Sequence, residues 1–247
     1  MKKALVLSVL AVSLFGTAAG YGATLSGGIW RMGFFVDYCA QQTLSDTLVA
    51  AGYTPALSGV SYGMSLGGGG IGGNFYLGGW GTVISSKEVL KSSTSARTLT
   101  YGGGFGGVEF GYIPVYSGGF FLMPSISVLW GGIGLSFETN MSFANYLANP
   151  VEFNPVIGAN TFSLSVGLTT GYLFEDRAGF LLRLQYIYTP SMSWSGVVLS
   201  DVPAHNQHSF LAAIELAFGG IIEGKSASSE IEADDLPSGL PDEPYVQ

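Results

Sequence analysis

Large apolar residues alternate with small or polar ones along several stretches of this chain, and no other feature limits the possible folds as strongly. Between Phe162 and Phe174 the even positions are apolar or aromatic apart from Thr170, whereas the odd positions from 163 to 171 carry serine, glycine or threonine. Successive side chains of a β-strand point to opposite faces, so such a stretch forms a strand with one apolar and one polar face. The same alternation recurs at 30–38, 180–188 and 210–218.

The alternation and the turn residues between these stretches predict about eight strands. We place them at 24–38, 57–67, 73–84, 98–113, 119–138, 160–175, 178–190 and 207–219. Most of them are longer than the roughly 9–11 residues with which a tilted strand crosses a bilayer. The connections are alternately long and short, which is typical of a barrel with tight turns at one rim and long loops at the other. The predicted fold is therefore all-β: an antiparallel, up-and-down transmembrane β-barrel.

The two ends of the chain differ from this middle part. Residues 1–19 have a positive start at Lys2 and Lys3, an apolar run and small residues up to Ala19, which is the pattern of a secretory signal peptide. Residues 220–247 are rich in acidic residues and proline, so they have too little apolar surface to offset the entropy lost on ordering. We expect a cleaved signal peptide at 1–19, a β-barrel at 20–219 and an acidic disordered tail at 220–247.

The composition agrees with an exported membrane protein. Only 11% of the residues are charged and 38 of 247 are glycine, whereas a soluble domain averages about 25% charged residues and about 7% glycine. The single cysteine, Cys39, excludes an internal disulfide. The net charge of −8 includes no basic cluster, so nucleic acid is not an expected partner.

With these strands and loops, residues 24–219 resemble the small eight-stranded outer-membrane β-barrels of the OmpA-like and OmpW-like class. The segment from Phe210 to Phe218 is similar to the closing strand that such proteins present to the barrel-assembly machinery. The resemblance implies contact with outer-membrane lipid and a tail in the periplasm, and it leaves the oligomeric state open. In most of these proteins the closing aromatic residue ends the chain, whereas here Gly219 to Gln247 follow it.

Five charged residues occupy strand positions opposite to the apolar ones. A charge facing lipid near the midplane costs about 2–4 kcal/mol, so we expect these residues in the lumen. A buried charge needs a partner, and closure of the barrel makes the last strand a neighbour of both the seventh and the first. We therefore expect Glu215 to pair with Arg183, with Arg31 as a second partner. The predicted lumen ion-pair network comprises Arg31, Asp37, Glu109, Arg183 and Glu215.

The apolar positions should face outwards, with tyrosine and phenylalanine near the edges of the band because their rings prefer the membrane interface. The residues expected in the centre are Trp30, Phe34, Leu164, Leu168, Leu184, Ile214 and Leu216, and those expected near the edges are Tyr172, Tyr186, Tyr188 and Phe218.

Two further motifs could suggest a nucleotide-binding or a catalytic site, but neither is in a suitable context. Residues 67–72 match a dinucleotide-binding fingerprint, but the strand-like Asn74 to Leu77 follow where a helix would be needed, so we interpret the glycines as a tight turn. His205 and His208 are the only histidines, with Ser209 and Asp201 nearby. Because adjacent strand residues point to opposite faces, His208 and Ser209 do not form a nucleophile–base pair. The sequence thus predicts no enzyme, no cofactor and no metal site.

The function that these features favour is a structural or surface-presentation role in the outer membrane, with a lumen plugged by ion pairs. One alternative is a narrow channel or carrier that passes small apolar molecules through a lateral opening near the glycine-rich strands. Another is an outer-membrane lipid-modifying enzyme. A helical inner-membrane protein with a span at Phe120 to Phe137 is disfavoured by Pro124 and the glycines at 131, 132 and 134.

Overall fold

The computed structural model of the chain describes residues 24–39, 42–54, 56–92, 97–139, 147, 156–175, 177–195 and 207–224. The predicted signal peptide and residues 225–247 of the predicted tail lie outside the described residues. A helix, α1 (Gln42–Ala50), follows the first strand. The strands are β1 (Thr24–Cys39), β2 (Tyr53–Thr54), β3 (Val60–Gly72), β4 (Phe75–Ser92), β5 (Arg97–Tyr112), β6 (Val115–Ser117), β7 (Phe120–Thr139), β8 (Val156–Phe174), β9 (Ala178–Ser195) and β10 (Gln207–Gly224).

Eight of these strands close into a barrel. Each pairs antiparallel with its neighbours in the order β1, β3, β4, β5, β7, β8, β9, β10. The last strand pairs back onto the first from Thr24 opposite Gly224 to Cys39 opposite Ser209. The two short strands lie outside this ring, β2 beside β4 and β6 beside β7. The prediction of an antiparallel barrel of about eight strands is confirmed.

Several strands extend further than the sequence predicts. The run Gly67–Gly72, interpreted as a tight turn, belongs to β3, because its residues pair with β1 on one side and β4 on the other. Likewise, β4 continues to Ser92, into a segment predicted as a long loop. The predicted barrel boundary after Gly219 is also too early, since β10 continues to Gly224 and buries Ile221 against the interior. In each case the apolar–polar alternation of the sequence is too weak to predict the extension, and pairing with a neighbouring strand stabilises it.

The helix α1 was not predicted, and it lies in the first long connection. Leu44 and Leu48, four residues apart on one face, are buried against Leu90 and Leu99, which project from the inner faces of β4 and β5. The backbone N–H of Leu57 donates to the hydroxyl of Ser45 at 3.1 Å and holds the returning chain against the helix. This packing places α1 at one end of the barrel, here called the loop rim. Within the described residues, no helix is long and apolar enough to cross a bilayer.

The opposite end, here called the turn rim, is defined by the two-residue hairpin turn between β3 and β4. Gly73 and Asn74 have φ values of 60° and 70°, as a type I′ turn requires. The side-chain oxygen of Asn74 accepts a hydrogen bond from the backbone N–H of Leu25 at 2.7 Å, and its carbonyl accepts one from Ile113 at 2.8 Å. The turn therefore ties β1 and the end of β5 to the same rim.

Two apolar layers fill the lumen on either side of its centre. The layer nearer the turn rim includes Leu25, Ile29, Ile71, Tyr76, Ile113, Phe121, Met123, Leu173, Leu181, Ala217 and Ile221. The layer nearer the loop rim includes Phe35, Trp80, Ile84, Leu129, Ile187, Leu211 and Ala213. Polar inward positions lie between and beyond these layers, and they hold the candidate site.

The turn gives a test of conformational strain that is separate from packing. Gly73→Ala places a side chain at a positive φ, which should lower the free energy of unfolding by about 1–2 kcal/mol. An added Cβ meets no atom within 4 Å at either Gly72 or Gly73, and Gly72 has an ordinary φ. Gly72→Ala is therefore the matched control and should cost nothing comparable. Urea unfolding of both variants, folded in detergent micelles, measures the difference; equal losses would contradict the turn assignment.

Candidate functional site

The side chains of the five charged residues that the sequence analysis places in the lumen face inwards in the structure. Arg31, Asp37, Glu109, Arg183 and Glu215 are at most 3% exposed. Four of them meet in one layer at the centre of the lumen, between the two apolar layers. Asp37 does not join them.

Glu215 on β10 is the centre of this charged layer. The Nη2 atom of Arg183 on β9 donates to both of its carboxylate oxygens at 2.9 Å. The hydroxyl of Ser65 on β3 donates to Oε1 of Glu215 at 2.7 Å. Nε of Arg31 lies 3.9 Å from Oε2. Closure brings these groups together, since β1 is paired with both β10 and β3.

Arg31 and Glu109 form the second half of the layer. Nη2 of Arg31 donates to Oε2 of Glu109 on β5, across the lumen rather than along a strand pair. The hydroxyl of Ser125 on β7 donates to the other carboxylate oxygen at 2.8 Å. Two guanidinium groups thus face two carboxylates, and the layer is neutral as a whole. This neutrality matters because a buried charge without a counter-charge is strongly destabilising.

Two aromatic rings also face the arginines. The guanidinium carbon of Arg183 lies 4.7 Å from the centroid of the Trp80 ring, and that of Arg31 lies 5.6 Å from the Tyr76 ring. These distances fall within the range of cation–π attraction, which strengthens when the cation is desolvated. Nε1 of Trp80 donates in turn to Ser127 at 3.3 Å. The rings therefore hold the guanidinium groups on faces that the carboxylates do not reach. The sequence alone did not identify Ser65, Tyr76, Trp80 or Ser125 as part of this site. Their positions on the inward faces of the strands could have indicated it.

Asp37 belongs to a cavity nearer the loop rim. All eight barrel strands contribute to its lining, which includes Asp37, Ser61, Ile84, Tyr101, Ile133, Thr161, Ser163, Thr189, Gln207 and Ser209. Its empty space is about 480 Å³ with the mouth included. The hydroxyl of Ser209 donates to the Asp37 carboxylate. Among the described residues, Oδ1 of Asp37 and Nε2 of Gln207 have no hydrogen-bond partner.

His208 and Ser209, the catalytic candidates that the structure describes, do not meet. His208 is exposed on the outer face, where its Nδ1 lies 2.5 Å from the hydroxyl of Tyr186, whereas Ser209 is buried on the inner face. His205 and Asp201 lie outside the described residues. In the part of the chain that the structure covers, no group of three or more His, Cys, Asp or Glu side chains is placed to hold a metal ion.

The outer surface is apolar around the whole barrel. Trp30, Phe34 and Ile214 are 67%, 70% and 68% exposed, although each lies in the middle of a strand. The outward orientation predicted for the band is confirmed for Leu164, Leu168, Leu184, Leu216, Tyr172 and Phe218, and Tyr186 and Tyr188 are partly exposed beside them. Such a surface is the reverse of a soluble barrel, in which these residues would fill the interior.

A closed barrel of eight antiparallel strands with an apolar exterior and a polar, filled interior has the architecture of the small outer-membrane β-barrels, and this chain has that architecture. No protein-family model and no curated protein sequence matches it. Three of the solved structures to which it is similar in fold are the following. For Neisserial surface protein A the TM-score is 0.45 at 8% identity, with 80% of this chain and 99% of that chain covered. For the outer membrane protein OprG from Pseudomonas aeruginosa it is 0.43 at 12% identity, covering 80% and 97%. For a major outer membrane protein from Thermus thermophilus it is 0.47 at 10% identity, covering 78% and 99%.

The charged layer predicts a large loss of stability when one partner is neutralised. Glu215→Gln leaves Arg183 without its main counter-charge, and such changes typically cost about 3–5 kcal/mol. Glu223→Gln removes an exposed carboxylate from the same strand and is the matched control. The free energy of unfolding in urea, with the barrel folded in detergent micelles, measures both. Adding Arg183→Met to Glu215→Gln should recover part of the loss, and a purely additive double variant would argue against the pairing.

Proposed function

We propose that this protein is an outer-membrane barrel with a structural or surface-presentation role, and that the paired charges plug its lumen. The observation that carries the proposal is the neutral layer of Arg31, Glu109, Arg183 and Glu215, enclosed between two apolar layers. An eight-stranded barrel has an interior just wide enough for side chains to fill. Here large side chains do fill it, and ions would have to pass through two apolar layers.

The apolar outer band supports the membrane location. Soluble monomers rarely expose apolar surface all around the molecule; the largest apolar patch on a typical one is about 300–600 Å². The hydrocarbon core contains no water to pair with free backbone groups, so strands can span it only if no strand edge is unpaired. A closed barrel meets this condition. The short connection between β3 and β4 and the short connection between β8 and β9 lie at the turn rim together with both barrel termini. In this proposal that rim faces the periplasm, and the tail follows it there.

We further propose that the barrel-assembly machinery recognises the last strand, and the outer face of that strand supports this. Phe210, Ile214 and Phe218 project outwards from β10 and are exposed. This is the face that the barrel-assembly machinery would meet before β10 pairs with β1. The five outward residues of the segment from 210 to 218 are unbroken by a polar residue.

The plug predicts low ion conductance, and its removal predicts a measurable increase. Replacing Arg183 and Glu215 together by serine keeps the lumen neutral but removes the side chains that fill its centre. In a planar bilayer the unaltered barrel should show no resolved single-channel steps, whereas the double variant should show them, because its apolar layers lose the ion-paired side chains that brace the opposite walls between them. Steps of equal size in both proteins would contradict the plug.

A matched control for this experiment is available at the turn rim. Glu175→Ser with Arg177→Ser also removes one carboxylate and one guanidinium, but both residues are exposed in the turn between β8 and β9. This control should leave conductance unchanged. A difference in gel migration between unheated and boiled samples verifies that every variant is a folded barrel.

One observation favours a second candidate, a carrier for small apolar molecules. The cavity reaches the backbone of Gly104 and Gly132, whose strands also have glycine at the outward positions 102, 106 and 134. The wall there is one backbone thick with no side chain on its outer face. Gly134→Leu, where an added Cβ meets only one atom at 3.9 Å, would cover this wall. Uptake of a small aromatic hydrocarbon by cells carrying the barrel should then fall; unchanged uptake would argue against a lateral route.

A further inference from the structure

The cavity near the loop rim contains a buried acid that the charged layer does not neutralise. Asp37 is 3% exposed, and its Oδ1 has no hydrogen-bond partner among the described residues. None of the ion pairs that the structure describes includes Asp37; they join Arg31 and Arg183 to Glu109 and Glu215. A carboxylate taken out of water without a counter-charge is costly, so a buried site of this kind is suited to receive a positive charge.

The charged layer cannot supply that charge, because apolar residues separate the two sites. Along β1, Phe35 lies between Arg31 and Asp37 with its side chain 2% exposed. Along β10, Leu211 and Ala213 lie between Ser209 and Glu215 on the inner face. The guanidinium groups of the layer are already engaged by Glu109 and Glu215. Asp37 therefore has a separate environment with its own charge balance.

The rest of the cavity indicates what kind of cation would fit. Hydroxyl groups also line the cavity. That of Ser209 donates to the Asp37 carboxylate, and the hydroxyl oxygens of Ser163 and Thr189 lie 2.6 Å apart. The facing wall, formed by β4, β5 and β7, is apolar and includes Ile84, Tyr101, Phe105 and Ile133. A bare metal ion would leave this apolar side without a partner. A short alkyl chain with an ammonium group would use both sides.

We propose that this cavity binds a small organic cation, with its ammonium group at Asp37 and its alkyl part against the apolar side. The ammonium group would donate to Oδ1 of Asp37, which lacks a donor among the described residues, and to neighbouring hydroxyls. The enclosed part of the cavity is small, so it suits a short chain rather than a large ligand. This site is distinct from the plug and does not depend on the proposed membrane location.

The test uses the full chain folded in detergent micelles and n-butylammonium chloride as the probe. Titration calorimetry should show saturable binding at one site. Asp37→Asn should weaken it at least tenfold, whereas Glu223→Gln, which removes an exposed carboxylate far from the cavity, should leave it unchanged. 1-Butanol, which has the same chain without the charge, should not bind saturably. Absence of butylammonium binding, or equal binding to the Asp37→Asn variant, would falsify the proposal.

Two further arms separate the alternatives. Potassium chloride at the same concentration should not displace butylammonium; displacement would show that the site takes inorganic cations and would overturn the organic ligand. If Asp37→Asn fails to fold, Thr161→Phe keeps the carboxylate and fills the cavity from β8. This second variant should also reduce binding at least tenfold while retaining heat-modifiable migration, and undiminished binding would place the ligand elsewhere.

Discussion

The pairing of β1 with β10 is the contact on which the rest of the molecule depends. It runs along the whole of β1, from Thr24 to Cys39, and it converts an open sheet into a closed wall without free edges. Only a closed wall has an inside and an outside, and only then does the alternation of side chains separate a charged lumen from an apolar exterior. Closure also places Arg31 beside Glu215, although the two are far apart in the chain.

The interior shows how a narrow barrel accommodates charge. Each carboxylate of the central layer accepts from a guanidinium group and a serine hydroxyl, and each guanidinium group also faces an aromatic ring. Pairing across the lumen connects strands that are not neighbours in the sheet, such as β1 and β5. The same groups therefore exclude water and brace opposite walls. Asp37 differs from these residues, because it lines a cavity and its Oδ1 has no hydrogen-bond partner among the described residues.

The sequence was sufficient for the parts of the fold that depend on the face of a strand. Period-two alternation separates inward Arg183 from outward Leu184 without knowledge of any neighbour. The ends of the strands were less predictable, because the glycine run at 67–72 has no alternation and becomes a strand only through its two neighbours. Helix α1 was missed for a related reason: its apolar face is two leucines, and their burial depends on β4 and β5.

Which charged residues pair with each other in the lumen was harder to predict than which face of its strand each residue occupies. The heights of two inward residues depend on the stagger accumulated from strand to strand around the barrel, which the sequence does not display. Glu215 and Arg183 are on adjacent strands, so a tight turn limits their offset. Arg31 and Glu109 are separated by two intervening strands, and the separation of Asp37 from the other four depends on the apolar residues at 35, 211 and 213.

The stacking of Arg183 on Trp80 makes this tryptophan a natural optical reporter of the lumen. Trp30 and Trp130 are largely exposed on the outer face, and Trp194 is partly buried against the apolar cluster beside α1. Trp80 is 4% exposed, and its ring centroid lies 4.7 Å from the buried guanidinium carbon of Arg183. A charge held over one face of an indole shifts the energy of its excited state, so rearrangement of the central ion pairs changes the light that Trp80 emits. The barrel thus contains an intrinsic fluorophore at its electrostatic centre, and the state of the lumen is readable without attaching a label.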